Sequence, residues 1–306
     1  MDLLKKELID ELSRVLAGGR VSTKEPMSLH TTFKTGGAVD VFAEPSSVEE
    51  LKRALELLKG ERFYLIGNGS NLLVSDKGLR GVAVHLAKGF GDIRVEGTTL
   101  ICGAAATLSQ IARAALDHSL TGFEFAAGIP GSLGGAIVMN AGAYDGEMRQ
   151  VVKSVTLIDY QGGIVQKGVE EMRFGYRHSL LKEADWIVLE AKLVLQKGDA
   201  SRIREKMDDL AARRRAKQPL EYPSAGSTFK RPEGYFAAKL IQDAGLRGFC
   251  VGGAQVSDKH CGFVINRENA TSADIYALIR EVQRKVKECS GVTLETEVIC
   301  LGEFDE

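Results

Sequence analysis

Two glycine-dense stretches carry the residue types that cradle a phosphate. The first is Gly67-Asn68-Gly69-Ser70-Asn71, and the second is Gly128-Ile129-Pro130-Gly131-Ser132-Leu133-Gly134-Gly135. Glycine lets a backbone take positive φ and come close to a diphosphate, while N–H groups and Ser and Asn side chains donate hydrogen bonds to it. The second stretch opens an expected helix over Ala136–Met139, whose N-terminus would add the positive end of its dipole. Taken singly, either stretch reads equally well as a tight turn. Neither matches GxGxxG inside a βαβ unit, nor GxxxxGK followed by Ser or Thr. Two of them, about sixty residues apart in one α+β domain, point to a bound diphosphate cofactor without naming it. His260 beside Cys261 has no second pair at ligand spacing, so no metal site is expected.

The elements that would hold these loops are short strands mixed with a few helices. A helix over Val48–Lys59 precedes a strand at Phe63–Ile66 that runs straight into the first loop. Strands follow at Gly81–Leu86, Asp92–Val95 and Thr98–Gly103. Thr107 caps a helix reaching His118, with Leu108, Ile111, Ala112 and Ala115 on its apolar face. Val151–Asp159 and Ile164–Gln166 read as a hairpin turning at Gly162-Gly163, and Trp186–Gln196 as a further strand. A long helix from Ala200 to Lys217 stops before Pro219, where composition changes. Beyond it lie a helix at Tyr235–Ala244, strands near Ala254 and Gly262, a helix at Ser272–Cys289 and a strand at Glu297–Leu301. The class is α+β rather than a regular βαβ series.

Composition bounds the function. The 306 residues are 44% hydrophobic with a net charge of −1, enough to bury a core and too balanced for a broad nucleic-acid-binding face. No stretch is long and apolar enough to span a membrane. The acidic residues Asp2, Glu7, Asp10 and Glu11 make the N-terminal segment an amphipathic helix and not a signal peptide. Five widely spaced cysteines without CxxC read as reduced, mostly buried thiols of a cytosolic protein.

Seven ordered runs then carry a resemblance: LHTTFKTGGAVDVF, LIGNGSNLLVSD, GFEFAAGIPGSLGGAIVMNAGAYDGEM, FGYRHS, YPSAGSTFKRP, AAKLIQDAGLRG and LETEV. Together they resemble the UDP-N-acetylenolpyruvoylglucosamine reductases (UDP-N-acetylmuramate dehydrogenases) over nearly the whole chain after the first helix. The resemblance implies an FAD-binding domain of the vanillyl-alcohol-oxidase type, built of two α+β subdomains, plus a smaller C-terminal α+β substrate domain. On that basis residues 1–20 are an N-terminal helix and 21–200 the FAD domain, split near 87. Residues 201–306 are the substrate-binding domain, with the last strand returning to the FAD domain. The implied reaction is NADPH-dependent, FAD-mediated reduction of UDP-N-acetylglucosamine enolpyruvate to UDP-N-acetylmuramate for peptidoglycan precursors. A cytoplasmic monomer acting on small molecules, with noncovalent FAD and no membrane or nucleic-acid partner, is expected. Another flavin oxidoreductase acting on an alcohol or lactone, and a noncatalytic flavin-binding module, are the alternatives.

The resemblance also assigns residues. Gly67 to Asn71 and Gly128 to Gly135, excepting Leu133, fall to the FAD diphosphate, with Asn140, Ala141, Gly142 and Ala143 near the flavin. Hydride arrives at the vinyl CH2 carbon, and negative charge grows beside the substrate carboxylate. Arg177 offers that carboxylate a planar, permanently charged fork. Glu297 matches the catalytic glutamate; to help an enolate it must be protonated or bridged by water. Ser227 matches the proton donor, a weak acid meeting a very strong base. Tyr176, Lys217, Gln218 and Lys230 are substrate-side candidates. Outside the resemblance each of these reads more plainly: an Arg in a loop as a surface ion pair, a Ser between Gly and Thr as a turn residue. About fifty residues separate Arg177 from Ser227, which fits a shorter form lacking an inserted tyrosine loop.

Overall fold

The computed structural model describes residues 3–305, so Met1 and Asp2 of the expected first helix lie outside the described residues. The helices are α1 (Leu3–Val15), α2 (Val48–Leu57), α3 (Leu108–Asp117), α4 (Leu133–Val138), α5 (Ala200–Lys217), α6 (Ala237–Asp243) and α7 (Ser272–Ser290). Three of them, α2, α3 and α7, start where the sequence supplies both an apolar stripe and a cap. Thr107 Oγ1 accepts from the Gln110 N–H at 3.3 Å, and Gln110 Oε1 accepts from the Thr107 N–H at 2.9 Å, so α3 opens on a capping box. Leu108, Ile111, Ala112 and Ala115 then face the core, as the spacing predicts.

The chain folds into two compact units made of interleaved segments. Unit 1 comprises Met1–Thr23, Val41–Gly67 and Gly81–Arg213; unit 2 comprises Lys24–Asp40, Asn68–Arg80 and Arg214–Glu306. The sequence suggests a single cut near residue 200, whereas packing assigns two early segments to unit 2. The reason is a long-range pairing: strand Leu72–Val74 lies parallel to strand Ile299–Leu301. The last strand does return to the N-terminal half of the chain, but to a piece belonging to unit 2.

Unit 1 is organised on an antiparallel five-stranded sheet. Its strand order is Ile164–Gly168, Val152–Asp159, Trp186–Val194, Thr99–Gly103, Ile93–Glu96. Alternate residues such as Val155, Leu157, Ile187, Ala191 and Leu193 point into one core with α3 and α4. Phe63–Ile66 pairs in parallel with Val82–His85 of strand Leu79–His85. Leu12 and Leu16 bury the stripe of the first helix in the same cluster.

Unit 2 has its own core. A three-stranded antiparallel sheet, Cys250–Val251, Ala254–Val256 and Val264–Asn266, is joined by α6 and α7. Ile275, Leu278, Ile279, Val282 and Val286 form the buried stripe of α7. Thr271 and Asp274 close a capping box at its start, and Asp76 takes the Ser272 and Ala273 N–H groups at 3.0 and 2.8 Å. Gly291 ends the helix at φ 72°, where a side chain would be strained.

The cysteines are free, as expected, but not mostly buried. Cys102 and Cys261 are buried and Cys300 is half-buried, while Cys250 and Cys289 are exposed. The last two sit on a short sheet strand and in the last turn of α7. Burial pushes the Cys102 thiol up to about 12, which leaves it unreactive.

Candidate active site

In unit 1 Gly67, the first residue of the first glycine stretch, meets the second stretch. A Cβ added to Gly67 would come within 2.8 Å of Ser132 Oγ, so Gly67 is the residue that lets the second stretch approach. Helix α4 begins earlier than its sequence suggests, at Leu133, which places Gly134 and Gly135 in its first turn. The Leu133 and Gly134 N–H groups donate to the carbonyls of Ala106 and Ala104, both at 2.8 Å. The dipole end expected here is therefore partly spent on the protein. Exposed backbone remains at Gly128, Pro130 and Gly135, beside a Ser132 side chain that makes no cap bond. A shallow glycine surface of this kind fits a diphosphate, which needs close backbone approach rather than a charged pocket.

Asn140 sits at the far end of α4, 1% exposed and at φ 42°. Its amide is spent within the protein: Nδ2 donates to Glu147 Oε2 and to the Gly175 carbonyl, both at 3.0 Å, and Oδ1 accepts from the Arg149 N–H at 3.0 Å. Its N–H donates to the Ile137 carbonyl as well, so what this end of the stretch leaves half-exposed is Ala141 and Gly142. Gly142 is required by the hairpin with Gly146, whose carbonyl would lie 2.5 Å from an added Cβ.

Arg177 occupies a two-residue turn closed by Gly175 and His178, which exchange N–H to carbonyl bonds of 3.0 and 3.2 Å. Its φ of 53° lies in the left-handed region, which costs a non-glycine residue about 1–2 kcal/mol. Strain of this kind concentrates at functional sites. The guanidinium carbon lies 5.5 Å from the centre of the exposed Tyr176 ring.

Unit 2 brings the segments of Ser227 and Glu297 side by side through an isolated bridge between Phe229 and Thr296, and the expected strand starts at Ile299 rather than at Glu297. Residues 228–230 run against 295–298: Lys230 N–H donates to the Glu295 carbonyl, and Glu297 N–H to the Thr228 carbonyl at 2.8 Å. Thr228 is fully buried, donates its N–H to the Gly262 carbonyl, and accepts from the Val264 N–H through Oγ1 at 3.0 Å. Gly226 at φ 75° makes the preceding bend, and the exposed Ser227 lies between them. Asn71 reaches the same segment, its Nδ2 donating to the Glu297 carbonyl at 2.9 Å. That amide, expected at a diphosphate, thus braces the segment carrying Glu297. Gly69 packs so tightly on residue 30 that a Cβ would sit 1.8 Å from the His30 carbonyl.

Of the substrate-side candidates, Lys230 pairs with Glu295 at 2.9 Å. Lys217 is exposed at the end of α5, and its charge helps hold the His260 imidazole below its ordinary value, after burial as the main cause. Gln218 keeps a buried Oε1 with no protein partner, an acceptor suited to a ligand donor.

A fold with an α+β glycine cradle and a separate α+β unit defines a flavoprotein: residues 39–168 match the FAD binding domain family. Residues 218–301 match the family described as UDP-N-acetylenolpyruvoylglucosamine reductase, C-terminal domain. The chain is 53% identical over 298 residues to the UDP-N-acetylenolpyruvoylglucosamine reductase of Caldanaerobacter subterraneus subsp. tengcongensis, covering 97% of this chain and 98% of that protein. The crystal structure of UDP-N-acetylenolpyruvylglucosamine reductase from Thermus caldophilus superposes with a TM-score of 0.82 at 33% identity, over 93% of this chain and 100% of that one. The 4-ethylphenol oxidase of Gulosibacter chungangensis reaches a TM-score of 0.50 at 14% identity, over 64% of this chain and 43% of its own, a likeness of fold alone. The chain belongs to the UDP-N-acetylenolpyruvoylglucosamine reductase family.

Proposed function

We propose that Arg177, Glu297 and Ser227 divide the chemistry of the family reaction, the NADPH-dependent, FAD-mediated reduction of UDP-N-acetylglucosamine enolpyruvate to UDP-N-acetylmuramate. The observation that carries this is the backbone pairing that sets the residue after Ser227 against Glu297, whose N–H donates to the Thr228 carbonyl. Bound FAD supplies the hydride. Arg177 fixes the substrate carboxylate and opposes the charge that grows beside it. Glu297, half-buried, assists as a protonated or water-bridged acid. The exposed Ser227 Oγ returns a proton to the carbon adjoining the carboxylate, and Lys217 is the cation nearest in role to the alkoxide it leaves.

Unit 1 supplies the flavin surface through Gly67, Gly128, Ile129, Pro130, Gly131, Ser132, Gly134 and Gly135. Asn68, Gly69, Ser70 and Asn71 belong to unit 2, which carries the sugar-nucleotide candidates Gln218 and Lys230; Tyr176 belongs to unit 1. The orphaned Gln218 Oε1 supports a contact to the uridine end. The enzyme is read as a cytoplasmic monomer with small-molecule partners and no nucleic-acid or membrane partner. A net charge of −1 speaks against a broad nucleic-acid-binding face, and no helix among the described residues is long and apolar enough to cross a membrane.

The test is an anaerobic sequence in one cuvette. NADPH should bleach the flavin, and added enolpyruvyl substrate should restore its absorbance. Protein that takes up no flavin after addition of FAD, or a reduced flavin that the substrate leaves bleached, overturns the reading.

A further inference from the structure

The turn that carries Arg177 is fastened to α4 at two points, neither of which touches the guanidinium. Ser179, 0% exposed, donates its hydroxyl to the Val138 carbonyl at 2.8 Å. That carbonyl belongs to the last residue of α4, where helices leave acceptors without an intrahelical donor. Asn140 donates to the Gly175 carbonyl at 3.0 Å, the carbonyl that also closes the turn by accepting the His178 N–H. One carbonyl oxygen has two lone pairs and accommodates both. Asn140 is itself held by Glu147 and by the Arg149 N–H. Both clamps approach from the same side, the C-terminal end of a helix six residues long.

We propose that Ser179 and Asn140 are positioning residues for the enolpyruvyl half-reaction, making α4 a rigid spacer of about 9 Å at the ordinary helical rise. Its first turn carries Gly134 and Gly135 of the flavin stretch, and its last carbonyl and Asn140, two residues beyond it, hold the turn that aims Arg177. The left-handed φ of Arg177 explains why clamps are needed: an unclamped Tyr-Arg turn would relax to an extended or right-handed backbone and re-aim the side chain. The inference rests on the role of Arg177 proposed above.

The experiment is a double-mutant cycle in single-turnover mode, on holoenzyme prereduced with NADPH and mixed with the enolpyruvyl substrate. Ser179→Ala should slow flavin reoxidation roughly 10- to 100-fold, the range that an ångström of misplacement produces. Flavin content and the rate of reduction by NADPH should stay at wild-type values. In an Arg177→Met background, adding Ser179→Ala should change the rate by no more than about 2-fold, because the group being aimed is gone. An equal loss in both backgrounds, or none in the single variant, would reduce Ser179 to a helix cap and overturn the inference. If Arg177→Met alone reoxidises at the wild-type rate, the role of Arg177 itself falls, and the clamps fall with it. Should Ser179→Ala not fold, Ser179→Cys keeps the volume with a weaker donor. A smaller but still non-additive loss is then expected, and a wild-type rate overturns the proposal.

Discussion

The Arg177 turn in unit 1 and the Ser227 bend in unit 2 are held by different means. Arg177 depends on two buried side chains, Ser179 and Asn140, and on a backbone angle that a non-glycine residue resists. Ser227 depends on main-chain bonds to either side of it, from Thr228 to residues 262 and 297, with one hydroxyl locking the corner. A backbone ladder survives most side-chain changes, whereas a side-chain clamp is lost with one atom. The arginine should therefore be the fragile partner in position, and the serine fragile only in identity.

Four measurements would break or sharpen that contrast. Ser227→Ala should lower the rate of flavin reoxidation by substrate about 10²- to 10⁴-fold, the usual worth of a positioned proton donor, with reduction by NADPH and the melting temperature unchanged. Arg177→Gly should cost about 10²-fold in the same step, yet leave the melt unchanged or raise it, since glycine relaxes the left-handed angle. A melt that falls would show that the turn is not strained. Thr228→Val should destabilise unit 2 by about 1–3 kcal/mol in denaturant unfolding, because the Val264 N–H loses its buried acceptor. Ser272→Ala, removing a fully buried hydroxyl that has no hydrogen-bond partner, should change stability by no more than about 0.5 kcal/mol.

A fifth prediction concerns pH. Burial pushes the Glu124 carboxyl up, but the Thr121 hydroxyl, the Gly122 N–H and the Lys206 ammonium outweigh it and hold the group below its ordinary value of 4.5. Unfolded Glu124 binds its proton first as pH falls. The stability it contributes is complete above about 4.5 and is lost as pH drops through the lowered folded value. Thermal melts taken from pH 7 to pH 3 should therefore decline less steeply for Glu124→Gln than for the native protein.

Local structure was largely legible in the residues. The bounds of α5 follow from its composition and from Pro219, and Thr107 announces α3. What escaped is what depends on distant chain. Nothing near Leu72–Val74 announces that its partner is Ile299–Leu301. Asn71 reads as a ligand donor because it closes a glycine-rich loop, and the resemblance sets Asn140 near the flavin, but both amides donate to protein carbonyls. Ser179 drew no notice, since a serine after Arg-His looks like surface, and only its full burial shows that its hydroxyl matters. Two glycines mask the first turn of α4, so its sequence suggests a later start than Leu133.

The interleaving of segments also sets a timetable for synthesis. Asn71 waits for Glu297, its partner 226 positions away, to be translated. At about 5–20 residues per second, that is a delay of roughly 10 to 45 seconds on the ribosome. During it strand Leu72–Val74 has no mate and the Asp76 carboxylate no helix to cap. Unit 2 can close only after Ile299–Leu301 has emerged, so a nascent chain stalled before that point would present an unpaired strand edge to its neighbours.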